Sequence, residues 1–293
     1  MIDKKKKQEE LSDADRFCIL ASNFVNEKNV IYFKDVFYLF NEGIWRRESE
    51  ENTRSWIYAE FNRKFGKAIR KNAVNEIVTV IGHLTYDNEL YRKKIKYFDE
   101  HNSKNTINLK SGILDLDTMA IKPYEKEDFC FHKLNFDYRK DFDCTLMLKF
   151  LTTSMGFNWP DDKDNAECAE IIGFIQEFMG YTLIPGNKYE KAIIMTGKGR
   201  NGKGTLIHVW SKILGDYNVS SLNLESLNDA QVVGQTKNKL VNFSYDSDAG
   251  AQLDTGIVKS AVVGEPVNCN EKYKEPHTFM FTAKLVMACN DMP

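Results

Sequence analysis

The chain has 293 residues, of which 42% are hydrophobic and 12% aromatic, and its formal net charge at pH 7 is -2. This is the composition of a globular protein that buries a core, and the near-neutral charge excludes a surface that attracts nucleic acid over its whole area. No apolar run is long enough for a membrane span, and the six cysteines form no C-x-x-C pair. We therefore expect no membrane association, no zinc site, and an intracellular, cytoplasmic location.

The first part of the chain predicts an α+β accessory domain over residues 1–125. Ser12 precedes an apolar-periodic stretch, which predicts a capped helix that runs to about Val25. The other predicted elements are two short strands between Val30 and Trp45, helices near 54–70 and 72–84, and strands within 105–123.

Residues 126–190 predict a helical region in front of the next domain. Apolar periodicity predicts helices over 146–155 and from Ala166 to Met179, with Gly180 as the stop of the second helix. From residue 191 to 293 strands and helices alternate, with apolar strands at 192–195, 240–245 and 285–289. This alternation predicts an α/β domain with a parallel central sheet.

A glycine-rich segment joins the first of these strands to the following helix. In this position glycines let backbone N–H groups turn towards a polyphosphate, and the helix presents its positive N-terminal end to the same anion. We therefore predict ATP binding, while the alternative is that the glycines only form a tight turn. The predicted binding residues are Gly197, Gly199, Asn201, Gly202, Lys203, Gly204 and Thr205.

One position departs from the usual phosphate-loop pattern. The residue after the lysine is ordinarily Ser or Thr, whose hydroxyl binds Mg²⁺, but here it is Gly204 and the hydroxyl comes at Thr205. A Gly-Lys-Gly-Thr order also occurs in nucleotide-binding enzymes such as adenylate kinases. The departure leaves the identity of the magnesium ligand open.

Polar residues follow two of the apolar strands. Asp246 and Asp248 come after the strand that ends at Tyr245, and Asn290 comes after the strand that ends at Cys289. In phosphate-loop enzymes an acid at such a strand end binds Mg²⁺ or its waters, and an amide contacts the γ-phosphate or the attacking water. Lys203, Asp246, Asp248 and Asn290 are thus the predicted catalytic residues, with Thr205 and Asp246 as metal ligands. The alternative is an ordinary solvated turn.

Lysines interleaved with an aromatic residue lie between those two strands. Lys259, Lys272 and Lys274, with Tyr273 between the last two, predict a basic-tipped hairpin that contacts the backbone and bases of single-stranded DNA. An ordinary charged loop is the alternative.

Taken in order, these segments resemble the superfamily 3 helicases and, more closely, the phage, plasmid and poxvirus primase-helicases. The resemblance rests on residues 197–205, Asp246, the 259–276 segment and Ala283-Lys284-Leu285 with Asn290-Asp291-Met292-Pro293. Upstream, residues 105–116 and 174–181 resemble the segment before the motor. The family implies an AAA+-type ATPase core, ATP and Mg²⁺ as cofactors, a homo-oligomeric and usually hexameric ring, and single-stranded DNA as partner.

The sequence ends at Pro293, directly after the residue that resembles the γ-phosphate sensor. Family members continue with a further strand and with an arginine finger, so we expect an incomplete motor and no primase catalytic domain. The missing strand would leave residues 192–195 as a sheet edge. The sequence is then a fragment, or its own N-terminal part covers the edge, or a second polypeptide completes the motor. Alternatives to a helicase motor are a non-catalytic ATP- and DNA-binding module and a small-molecule kinase.

Overall fold

The computed structural model describes residues 11–27, 29–33, 36–86, 105–162, 165–245, 255–271 and 276–290. These residues fall into two compact units, which are described separately. The first holds the described residues up to 86 together with 124–131, and the second holds 105–123 and the described residues from 132 onwards.

The first unit packs helices against a small antiparallel sheet. Ser12 caps the first helix through a reciprocal capping box with Asp15, as the sequence predicted. The sheet has three strands where the sequence predicted two, because the segment from residue 30 to 48 makes two successive antiparallel pairings. Its elements are α1 (Asp13–Asn26), β1 (Val30–Phe33), β2 (Val36–Asn41), β3 (Ile44–Glu48), α2 (Glu50–Phe65) and α3 (Lys71–Tyr86).

The second unit is built around a parallel four-stranded sheet. In order across the sheet, its strands are β7 (Ile193–Thr196), β12 (Lys284–Cys289), β9 (Val241–Tyr245) and β8 (Val219–Ser220). Among the described residues β7 pairs only with β12, so it forms an edge of this sheet. The sequence thus predicted both the α/β class with a parallel sheet and the position of its first strand at an edge.

A helix that follows β7 covers one side of this sheet. It is α6 (Lys203–Leu214), whose residues Ile207, Trp210 and Leu214 are fully buried. They share one hydrophobic core with Phe243 of β9 and Val286 of β12. Burial of the Trp210 side chain fixes α6, and with it the segment that joins it to β7.

Three short strands that the sequence assigned to the N-terminal domain belong to the second unit. They are β4 (Thr106–Asn108), β5 (Ile113–Asp115) and β6 (Ile121–Lys122). Leu109 and Leu114 lie in the same hydrophobic core as Trp210. Short strands bury little apolar surface by themselves, so the core that they join decides their unit, and the predicted boundary near residue 125 does not coincide with the observed one.

Besides short 3-10 turns, the other described elements of the second unit are two helices before the sheet, one helix after β9 and an antiparallel hairpin. The second helix runs through Gly180 to Tyr181, so Gly180 does not end it as predicted. Among the described residues, no helix combines the length and the apolar character needed to cross a membrane. These elements are α4 (Thr145–Ser154), α5 (Ala166–Tyr181), α7 (Thr255–Val263), β10 (Pro266–Cys269) and β11 (His277–Met280).

Candidate functional site at the glycine-rich loop

The glycine-rich segment is a loop between the edge strand β7 and the helix α6. Two of its glycines have backbone conformations that other residues rarely adopt, with φ of 145° at Gly197 and 86° at Gly202. A Cβ at Gly202 would lie only 2.7 Å from the Oγ of Ser154, which ends α4. Both conformation and close packing therefore require glycine at residue 202.

At the N-terminal end of α6, no capping side chain and no acidic side chain of its first turn competes with a ligand for the backbone amides. Gly202 is the N-cap residue, no side chain caps the helix, and no acidic residue occupies its first turn. Gly204 and Thr205 in that turn are exposed, and a Cβ built at Gly204 meets no neighbouring atom. A helix of 12 residues with such an end attracts anions.

Lys203 lies at the start of this helix and its side chain folds back over the loop. Its Nζ donates hydrogen bonds to the carbonyl oxygen of Gly197 and to Oδ1 of Asn201, the latter at 3.1 Å. The side chain is half-buried. The side-chain nitrogen of Lys203 therefore lies against the loop at the N-terminal end of α6, and a lysine is a common phosphate ligand.

The carboxyl ends of the parallel strands lie at the same edge of the sheet as the loop. Cys289 of β12 pairs with Thr196 of β7, so the exposed Asn290 and the loop residue Gly197 each follow directly after paired positions. Tyr245, the last residue of β9, pairs with Ala288 of the same strand β12. Asp246 and Asp248, predicted as metal and catalytic residues, lie outside the described residues.

The predicted basic hairpin corresponds to the antiparallel strand pair β10–β11. One of the three predicted lysines, Lys259, lies outside this pair. β10 and β11 pair from Pro266 with Met280 to Cys269 with His277. Lys272 and Lys274, in the connection between them, lie outside the described residues.

Lys259 is an exposed residue of α7 and is not part of the hairpin, which corrects its predicted placement. Its apolar neighbours Ile257, Val258 and Val262 pack on a hydrophobic core at helical spacing, and this burial makes the segment a helix.

Two features of the second unit could not be inferred from the loop motif. Ser154, which closes over Gly202, belongs to a helix far upstream in the sequence. Lys284 is buried in β12, where its Nζ donates to the carbonyl oxygen of Ile184 and lies 4.7 Å from the centroid of the Tyr181 ring. Burial lowers the pKa of Lys284 to about 7. The only available signal for Lys284 was a charged residue at the start of an apolar strand.

The parallel sheet, the loop after its edge strand and the helix that follows define an α/β protein with a candidate anion site. The chain belongs to the D5 N terminal like family, whose model matches residues 14–180. Residues 195–293, which include the whole loop, match the model of a family of unknown function, DUF5906.

One curated protein and one solved structure place this chain among known proteins. The chain is 23% identical over 283 residues to an Acanthamoeba polyphaga mimivirus protein named "Putative helicase L207/L206"; the match covers 94% of this chain and 27% of that protein. The structure titled "The A form apo structure of NrS-1 C terminal region-CTR" matches with a TM-score of 0.52 and 14% identity, over 94% of this chain and 56% of the other. The chain thus spans about a quarter of its curated relative, and the structural likeness concerns the fold alone.

Proposed function

We propose that this chain is the ATP-binding part of a helicase-type motor that acts on single-stranded DNA during replication of a virus, phage or other mobile element. The observation that carries the proposal is the loop before α6. Lys203 begins this helix, which has no side-chain cap, and its side chain folds back over the loop. Membership of the D5 N terminal like family and the similarity to a viral protein with helicase in its name support the choice of motor.

The residues of the loop fit a triphosphate. Glycine at residue 202 is required by its φ and by Ser154, while Gly204 and Thr205 in the first turn of α6 are exposed. Lys203 would bind the β- and γ-phosphates through a further N–H of its side chain while its bond to Asn201 keeps it in position. Gly197, Gly199 and Asn201 would shape the loop around them.

Magnesium fits the same site less completely. Thr205 offers an exposed hydroxyl in the first turn of α6, and Asp246 would supply the carboxylate after β9. When bound with ATP, Mg²⁺ neutralises charge that develops on the phosphate oxygens. Asp248 would orient the attacking water, and Asn290 at the neighbouring strand end would donate its amide to the γ-phosphate.

The DNA-binding and assembly parts of the proposal rest mainly on the resemblance to primase-helicases. Lys272 and Lys274 would contact the DNA backbone from the end of the β10–β11 hairpin. Lys259 is an exposed residue of α7 and does not belong to the hairpin. It would add a further positive charge for contact with DNA. Copies of the motor would assemble into a ring, usually hexameric in that family. A neighbouring copy would then supply the arginine finger.

The proposal is tested by ATP binding and phosphate release, with and without single-stranded DNA. Wild type is compared with Lys203→Ala, and Lys212→Ala is the matched control, because Lys212 lies on the same helix with its side chain exposed and paired with Asp216. We expect ATP binding in wild type and the control and a large loss in Lys203→Ala. Equal ATP affinity in all three would overturn the ATP site.

Hydrolysis separates the motor from the two alternatives. Release of phosphate that rises with single-stranded DNA and disappears in Lys203→Ala supports the motor. ATP binding without turnover, both with and without single-stranded DNA, supports a non-catalytic module instead. Transfer of the γ-phosphate to a small acceptor, insensitive to DNA, supports a kinase and contradicts the motor.

A further inference from the structure

Three side chains of metal-binding type meet where the β10–β11 hairpin enters its connecting segment. Cys269 ends β10, His277 begins β11, and the two are direct cross-strand partners. Glu271 follows Cys269 by two residues. One ligand atom from each, Sγ, a carboxylate oxygen and an imidazole nitrogen, lies within 4.8 Å of the other two.

A glycine on a neighbouring segment shows independently that two of these atoms converge. A Cβ built on Gly234 would lie 2.7 Å from Sγ of Cys269 and 2.8 Å from Oε1 of Glu271. Gly234 belongs to a short helical turn, Val233–Thr236. Just before this turn in the sequence, the carbonyl oxygen of Ala230 accepts a 2.8 Å hydrogen bond from the backbone amide of Asn270. The absence of a side chain at Gly234 leaves room at the point where the thiol and the carboxylate meet.

We propose that Cys269, Glu271 and His277 bind a divalent cation of borderline softness, best matched by Zn²⁺. Thiolate, imidazole and carboxylate are its usual ligands, with bonds of about 2.0–2.3 Å. Ligand atoms on a tetrahedral ion of that size lie about 3.3–3.8 Å apart. Atoms already within 4.8 Å reach that spacing by small side-chain rotations. Water would complete the four-coordinate shell.

The site would link the two strands of the hairpin next to their connection. Its ligands come from both strands and stand on either side of residues 272–275, so a bound ion fixes the two ends of that connection at once. Cys269 is buried in the same hydrophobic core as Val233, next to Gly234. Binding also releases the thiol proton, so the affinity should rise with pH. The inference does not depend on the proposed function, because it concerns metal binding alone.

The test is a titration of the chelator-treated chain with Co²⁺ as a spectroscopic probe and then with Zn²⁺. We expect one equivalent of Co²⁺ to give a near-ultraviolet sulfur-to-metal absorbance that Zn²⁺ removes. Cys269→Ser should abolish this absorbance, and Glu271→Gln should weaken Co²⁺ binding at least about 10-fold. Cys18→Ser is the matched control, since this exposed cysteine lies in the first unit and should leave the signal unchanged.

A melting experiment provides a second test of the metal site in case Cys269→Ser folds poorly. Zn²⁺ should raise the melting temperature of wild type and of Cys18→Ser, and should raise that of Glu271→Gln less at the same concentration. Glu271 is half-buried rather than buried, so its amide variant should fold. No thiolate absorbance in wild type, or equal Co²⁺ affinity in wild type and Glu271→Gln, would overturn the site.

Discussion

Lys203 donates a hydrogen bond to the side chain of Asn201, with 3.1 Å between Nζ and Oδ1. The loop therefore holds its own ammonium group in place, beside the helix end that the group would share with a phosphate. This preorganisation limits the side-chain entropy that Lys203 loses when an anion binds.

Asn201→Ala should weaken ATP binding by less than Lys203→Ala does. Removal of one such hydrogen bond costs about 0.5–1.5 kcal/mol, which corresponds to about a 2- to 12-fold rise in Kd. Isothermal titration with ATP measures it, and Asn223→Ala serves as control, because Asn223 is an exposed residue that only accepts a bond from Ser226. An Asn201→Ala variant with wild-type affinity would show that the lysine needs no such support.

Gly202→Ala should destabilise the chain more than Gly156→Ala does. The two glycines have almost the same φ, 86° and 89°, so both substitutions carry a similar backbone strain of about 1–2 kcal/mol. Only at Gly202 would the new Cβ also meet Ser154, at 2.7 Å, whereas Gly156 has open space. The clash should add about 1–3 kcal/mol to the loss.

Urea unfolding measures this difference, and ATP binding should be lost only in Gly202→Ala. Gly156→Ala is the control for strain without contact. Equal losses of stability in the two variants would mean that α4 moves away from the loop without cost, and the packing of Ser154 on Gly202 would then have no energetic role.

Lys284 should make the stability of the chain depend on pH above neutrality. Burial lowers its pKa to about 7, while an unfolded lysine titrates near 10.4, so between these values the unfolded state binds the extra proton. Stability must therefore rise with pH in this window, by up to about 1.4 kcal/mol per pH unit. The charged form at lower pH is the one that burial penalises.

Lys284→Met removes this titration. Urea unfolding of both proteins from pH 7 to 9 should show wild type gaining stability relative to Lys284→Met, while Lys212→Met, at an exposed position, stays parallel to wild type. Burial and the charge of Lys284 lower the pKa of His132 to about 3, so that group changes its protonation only below this range. Parallel curves for wild type and Lys284→Met would contradict the lowered pKa.

The parts of the structure that the sequence predicted are those with local signals. The run Ile193–Thr196, the glycines after it and the apolar spacing of α6 each indicate their own conformation, so the strand, loop and helix were placed correctly. Ser12 before α1 is a local signal of the same kind. The strand-end position of Asn290 followed as well, because parallel strands end at one edge of their sheet.

The parts that the sequence did not predict depend on contacts between distant residues. Ser154 meets Gly202 only because α4 packs there, and Leu109 joins the core of the second unit through tertiary packing. Cys269 and His277 have no recognised metal-binding spacing, yet strand pairing places them opposite each other. In each case, residues that are far apart in the sequence lie close together in the structure.

The hairpin lysines should control affinity for single-stranded DNA without affecting ATP. Each phosphate contact that is lost should reduce the slope of log affinity against log salt by about 0.7, so Lys272→Ala with Lys274→Ala should reduce it by about 1.4. Fluorescence anisotropy with a labelled oligonucleotide at several salt concentrations measures this. Lys259→Ala, on α7 rather than on the hairpin, should have a smaller effect. An unchanged slope in the double variant would contradict the hairpin assignment.

The edge strand β7 should make the chain associate through its sheet. Among the described residues its outer backbone groups have no strand partner, and Ile194 on it is 40% exposed. Such an edge pairs with other strands unless a charge or a covering segment prevents it. Ile194→Lys should therefore lower the apparent mass in analytical ultracentrifugation at high protein concentration. Phe174→Lys, a charge at an apolar position 53% exposed on α5, is the control for a general gain in solubility. If both variants reduce association equally, the edge is not its cause; if wild type is a monomer at all concentrations, residues 193–196 are not an exposed edge in solution.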